Sequence, residues 1–137
     1  MNFFELFLLF NIFIIPNYSS PIQIEIIGIK EFKGNLMVAV FNQEKGFGNE
    51  KYAFHKQVNA IEKNIEVSID SNYQHKPIAF AIYQDVNKNG ILDKNFLGLP
   101  MEPYGFSNNV KGYFGPPSFS EASVRFEEKL LLKIELN

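Results

Sequence analysis

Residues 77–93 read Pro77-Ile78-Ala79-Phe80-Ala81-Ile82-Tyr83-Gln84-Asp85-Val86-Asn87-Lys88-Asn89-Gly90-Ile91-Leu92-Asp93. The first part is apolar at consecutive positions, so a strand built from it presents apolar side chains to both faces. That is the pattern of a central strand covered on each side. The second part is rich in side-chain oxygens and contains Asn89-Gly90, a favoured tight-turn pair. A two-faced strand that empties into an oxygen-rich turn places the fold in the all-β class.

Working outward, alternation with period two dominates the chain. Ile22, Ile24 and Ile26 share one face, with Gln23 and Glu25 opposite. Gly34-Asn35 turns the chain into Leu36-Met37-Val38-Ala39-Val40-Phe41, a second two-faced run. Residues 54–61 alternate less cleanly, and Glu62-Lys63-Asn64 reads as a hairpin turn into the alternating Ile65, Val67 and Ile69. Ala122, Val124 and Phe126 alternate with polar neighbours, and Leu130, Leu132, Ile134 and Leu136 form a last run. No segment beyond residue 20 sustains a helical period, and a short helical turn is expected only within residues 44–51. The spacing predicts an antiparallel two-sheet sandwich of about seven strands, immunoglobulin-like or transthyretin-like, with residues 36–41 and 78–83 central.

The chain has 137 residues, 46% hydrophobic and 20% charged, which suffices for one buried core. A net charge of −2 offers no basic excess to neutralise a phosphate backbone, so nucleic acid is not an expected partner. Cysteine is absent, which excludes disulfides, thiolate metal sites, a cysteine nucleophile and lipid attachment through an N-terminal Cys. Residues 3–15 are nearly all apolar, Pro16 ends the run, and Asn17-Tyr18-Ser19-Ser20 follows. This length suits the core of a signal peptide and is short for a membrane span, although Glu5 interrupts it and no Lys or Arg precedes it. The expectation is a signal peptide over residues 1–20, with an uncleaved anchor or a buried first helix as the alternatives, a single domain over 21–137, an extracytoplasmic location, and no stable membrane span after signal removal.

Within the turn after the central strand, oxygen side chains stand at relative positions 1, 3, 5 and 9 (Asp85, Asn87, Asn89, Asp93), with Gly90 at position 6. This is the first part of the calcium-loop pattern D-x-[DN]-x-[DN]-G. Alternate residues of a tight turn point their oxygens inward, glycine permits the reversal, and the Ile91 carbonyl would add a ligand. The twelfth position is Phe96 rather than a bidentate Glu, and Glu102 could supply a third carboxylate if the following loop folds back. Calcium held here would bind weakly, with a dissociation constant of roughly 10⁻⁴–10⁻³ M. The competing reading is a turn in which Asp and Asn satisfy backbone amides without a metal.

Residues 97–119 break the rhythm with eight Gly or Pro and with Tyr104, Phe106, Tyr113, Phe114 and Phe119. A segment of this kind either binds a ligand, with Tyr104, Phe106, Asn108 and Asn109 as candidates, or caps the sandwich by packing on itself. Catalytic constellations are sparse. His55 and His75 are 20 residues apart without zinc spacing, and no nucleophile elbow or phosphate loop is present.

The motifs around this region resemble a known family. The run from Asp85 to Asn95, then Gly98-Leu99-Pro100-Met101-Glu102, Tyr104-Gly105-Phe106-Ser107-Asn108-Asn109 and Phe114-Gly115-Pro116-Pro117-Ser118-Phe119, is similar to the bacterial domain-of-unknown-function family 2141. Leu36, Val38-Ala39-Val40-Phe41 and Gly46-Phe47 fit as well, so the resemblance covers residues 22–136. Pro103 departs from it, standing where a small residue, often Gly, is expected before the Tyr. The resemblance implies a secreted or periplasmic β-sandwich and carries no catalytic residues. The expected function is therefore a non-catalytic extracytoplasmic binding or accessory module with calcium as its one candidate cofactor. The alternatives are a structural domain rigidified by calcium and an enzyme acting at residues 97–119.

Overall fold

The computed structural model describes residues 20–48, 52–70, 73, 76–125 and 131–137. Its strands in chain order are β1 (Ile22–Ile27), β2 (Asn35–Phe41), β3 (Phe54–Asn59), β4 (Ile65–Ile69), β5 (Pro77–Asp85), β6 (Tyr104–Phe106), β7 (Val124–Arg125) and β8 (Leu131–Glu135). They form two sheets. One has the order β4-β1-β8, and the other has the order β3-β2-β5-β6, with β7 pairing the start of β5. The two runs read as central strands are β2 and β5, hydrogen-bonded to each other in the middle of the larger sheet.

The core follows directly from the alternation. Ile22, Ile24, Ile26, Val67, Ile69 and Ile134 from the smaller sheet meet Leu36, Val38, Val40, Ile78, Phe80 and Ile82 from the larger. Every one of these lies on one face of its strand, so a single register gathers them. Phe80 is fully buried at the centre.

The structure corrects several expectations. The sandwich is not wholly antiparallel, because β1 and β8 run parallel, with Ile24 opposite Leu132. Residues 62–64 do not close a hairpin. β3 pairs with β2 and β4 pairs with β1, so this turn carries the chain from one sheet to the other. The helical turn expected within 44–51 is a plain turn closed by Phe47 N–H donating to the Glu44 carbonyl, as far as the described residues run. The helix α1 instead spans Phe119–Ala122, started by a capping box in which Ser118 and Glu121 satisfy each other's backbone amides. Ala122 therefore ends a helix and does not begin a strand, and among the described residues β7 comprises Val124 and Arg125. The eighth strand, β6, lies inside the segment read as irregular. Its middle residue, Gly105, packs against the backbone of Glu135, and a Cβ there would collide with that carbonyl. Residues 1–19 of the expected signal peptide, His75 and residues 126–130 lie outside the described residues. Among the described residues no helix is long and apolar enough to cross a membrane.

Candidate ligand groove and oxygen-rich loop

The outer face of the larger sheet is half covered. At one end Phe41 and Ala79 stand opposite each other and are buried, and the Phe47 ring lies 5.2 Å from Phe41, 5.8 Å from Phe119 and 5.9 Å from Phe106. Beyond that aromatic plug the face opens into a groove of about 1180 Å³. Its floor is two cross-strand rows. In one, Ala39 and Ala81 stand opposite each other, flanked by His55 on β3 and Phe106 on β6. In the next, Met37 and Tyr83 are flanked by Gln57 and Tyr104. Two methyl groups set among rings and a long thioether make a dip in the middle of a sheet face. Residues 90–100 and 112–116 form the two walls.

The walls are polar only in places. Tyr83 donates its hydroxyl to the Gly90 carbonyl at 3.1 Å, which ties the floor to one wall. His55 packs edge-on against Tyr52, with ring centres 4.8 Å apart. Among the described lining residues Lys94 is the one lysine, and no carboxylate is among them.

Behind the wall sits the oxygen-rich loop. The Asp85 carboxylate, almost fully buried, accepts the backbone N–H groups of Asn89 (3.0 Å) and Gly90 (2.8 Å). Asn87 Oδ1 accepts Asn89 N–H, and Asn89 Oδ1 accepts Ile91 N–H, each at 3.0 Å. The Nδ2 groups of Asn87 and Asn89 both point at Asp93, at 2.6 Å and at 3.1–3.2 Å. Glu102 lies against this loop, and its two oxygens accept Val86 N–H (2.8 Å) and Asp93 N–H (3.1 Å). Lys88 takes a left-handed conformation (φ 62°) to let the chain reverse.

The structure thus brings Asp85, Asn87, Asn89, Asp93 and Glu102 together in one hydrogen-bonded knot, with Ile91 at its edge. In this conformation the side chains complement one another. The amide oxygens that a hard cation would want are turned to backbone N–H groups, and amide nitrogens face Asp93. Among the described residues no three Asp, Glu, His or Cys side chains converge in the way a metal requires.

The four residues singled out in the aromatic loop separate into two pairs. Tyr104 and Phe106 line the groove. Asn108 donates to the carbonyls of Glu121 and Ser123, and Asn109 donates to the Lys133 carbonyl while accepting Glu135 N–H. Asn109 thereby imitates a strand neighbour for β8 and occupies its otherwise open edge. Ser107 is a third staple, accepting Phe80 N–H at 2.9 Å and donating to the Ala122 carbonyl. Met37, Ala39, Ala81 and Tyr83 escaped the sequence reading as groove residues. Their strands are recognisable from alternation, yet only the pairing register sets the two alanines side by side.

No curated protein and no solved structure matches the chain. A family model does, and its description is an uncharacterised protein conserved in bacteria, domain-of-unknown-function family 2141. It matches residues 24–131, and the chain belongs to that family.

Proposed function

We propose that this protein is a non-catalytic extracytoplasmic binding module whose ligand lies across the Ala39–Ala81 floor of the outer groove. The observation that carries the reading is the floor itself: two alanines in register, surrounded by Met37, Tyr83, Tyr104 and Phe106. Concave sites with apolar and aromatic walls and few polar groups suit an organic molecule with an apolar face. The non-catalytic part rests on the lining, whose described residues have one imidazole, that of His55, and no carboxylate to act with it. The extracytoplasmic part rests on the apolar run at residues 3–15. The test is a titration with 1-anilinonaphthalene-8-sulfonate against the parent protein and Ala81→Phe. Saturable fluorescence on the parent, lost in the variant at unchanged melting temperature, supports the reading. Equal fluorescence from both places the ligand elsewhere.

A second reading concerns calcium at Asp85, Asn87, Asn89, Ile91 and Asp93, with Glu102 behind them. It is favoured by the two amide Nδ2 groups on Asp93, which bring partial positive charge to the place a cation would take. Binding requires the Asn87 and Asn89 amides to turn over and release two Asx-turn bonds, a cost that fits a weak site. The ion would then rigidify the groove wall that Gly90 and Ile91 belong to.

A further inference from the structure

Two turns at the mouth of the groove repeat one pattern, Lys94-Asn95-Phe96-Leu97-Gly98 and Lys111-Gly112-Tyr113-Phe114-Gly115. In each, a lysine stands at the foot of a turn, two large apolar residues occupy its tip, and a glycine at positive φ (79° at Gly98, 145° at Gly115) ends it. Turn tips are ordinarily polar or small. Here Phe96 and Tyr113 are each 95% exposed, Phe114 is fully exposed and Leu97 is 67% exposed. The exposure is built in. Asn95 N–H donates to the Leu99 carbonyl, Gly98 N–H to the Asn95 carbonyl, and Asn95 Oδ1 accepts the N–H groups of Leu97 and Leu99. In the second turn a Cβ on Gly112 would collide with the Gly115 carbonyl, so the reversal is equally tight. None of the four tip residues belongs to the core, and their identity answers to something outside the fold.

The charge around them points to what that is. Between residues 94 and 120 the only acidic residue is Glu102, which is buried with both oxygens on backbone amides. Lys94 and Lys111 are both exposed, and among the described residues neither is in an ion pair, although Asp93 and Glu121 stand just outside this stretch. Each turn offers cation at the foot and apolar bulk at the tip, which matches the order of an anionic bilayer, with phosphate outside and acyl chain within. We propose that the two turns dock this protein on an anionic phospholipid surface. Phe96, Leu97, Tyr113 and Phe114 enter the boundary between headgroup and acyl chain, and Lys94 and Lys111 meet the phosphates. Leu97, Tyr113 and Phe114 also line the groove, but docking does not require the groove to hold a ligand.

The chain contains no tryptophan, so Phe96→Trp or Tyr113→Trp installs a single reporter at one tip. The apolar residues 3–15 then stay silent, whatever lipid they touch. The full chain carrying either variant is titrated with vesicles of phosphatidylglycerol and phosphatidylcholine, and with phosphatidylcholine alone. The expected result is a blue shift and quenching by brominated acyl chains on the anionic vesicles only, from both tips. Adding Lys94→Gln and Lys111→Gln should weaken the apparent affinity about 25-fold, since each lysine near an anionic surface is worth about fivefold. An unchanged spectrum at either tip, an equal response to both vesicle types, or indifference to the lysine changes overturns the proposal. A shift that tracks protein concentration without vesicles overturns it too, and names a second copy of the chain as the occupant.

Discussion

Ala39 lies directly opposite Ala81 across β2 and β5, and the two methyl groups lower the groove floor between rings on every side. The depression is an arrangement of small side chains on a rigid sheet, so it can be filled without disturbing the core beneath. Ala39→Phe should abolish binding of an apolar probe and change stability by less than about 1 kcal/mol, because the added ring occupies open space. Urea denaturation beside probe titration checks both halves.

Below that floor the core is the opposite case. Phe80 is fully buried between the sheets, and Phe80→Ala should cost about 3–5 kcal/mol through lost transfer energy and the cavity left behind. A loss under about 1 kcal/mol in denaturant unfolding would show that the two sheets do not close on this ring.

Asp85 separates a metal loop from a hydrogen-bonded turn. Its carboxylate holds the N–H groups of Asn89 and Gly90, so Asp85→Ala should destabilise the protein by about 1–3 kcal/mol in chelator. If calcium binds, the parent protein melts higher in tens of millimolar calcium and the variant does not respond. Magnesium should do less, because it demands a tighter octahedral shell. An equal penalty with calcium and with chelator makes the loop a turn and removes the metal.

Alternation made the core legible, since Ile22, Ile24, Ile26, Leu36, Val38, Val40 and Phe80 all point inward as their spacing requires. Pairing was not legible, because an inward face says nothing of which neighbour a strand adopts. For that reason Glu62-Lys63-Asn64 passed for a hairpin, and the parallel partnership of β1 with β8 went unseen. β6 hid behind Pro103 and Gly105, two poor strand formers, although Gly105 is required by the Glu135 backbone beside it. The oxygen spacing of residues 85–93 did foretell a shared knot. It did not foretell that Asn87 and Asn89 would turn their nitrogens to Asp93.

The start of α1 should respond to acid. Hydrogen bonds from the Ser118 hydroxyl and from the Ser118 backbone N–H hold the Glu121 carboxyl below its ordinary value of 4.5. A depressed carboxylate contributes stability that is present above the unfolded value and lost as pH falls through the folded one. The cap should therefore stay intact above the ordinary carboxylate value and loosen as pH falls below it. A carbon-detected NMR titration should give Glu121 a midpoint below 4.5, and Ser118→Ala, which removes the hydroxyl and keeps the backbone N–H, should raise it part of the way back. A midpoint of 4.5 or above in the parent protein would falsify the cap's effect on its charge.

The parallel neighbours β1 and β8 also set the order in which the molecule can assemble. Ile24 meets Leu132, so the first strand waits for the last before the smaller sheet has its middle. Contacts between positions so far apart in the chain are slow to form and come late. A polypeptide emerging residue by residue cannot finish its core until nearly all of it is free. Until then β1 has only β4 beside it, and the nascent chain stays loose enough to be threaded, held by a chaperone or cut. Moving β1 to the C-terminal end by circular permutation would place it next to β8 in sequence, and refolding should then be faster at nearly unchanged stability.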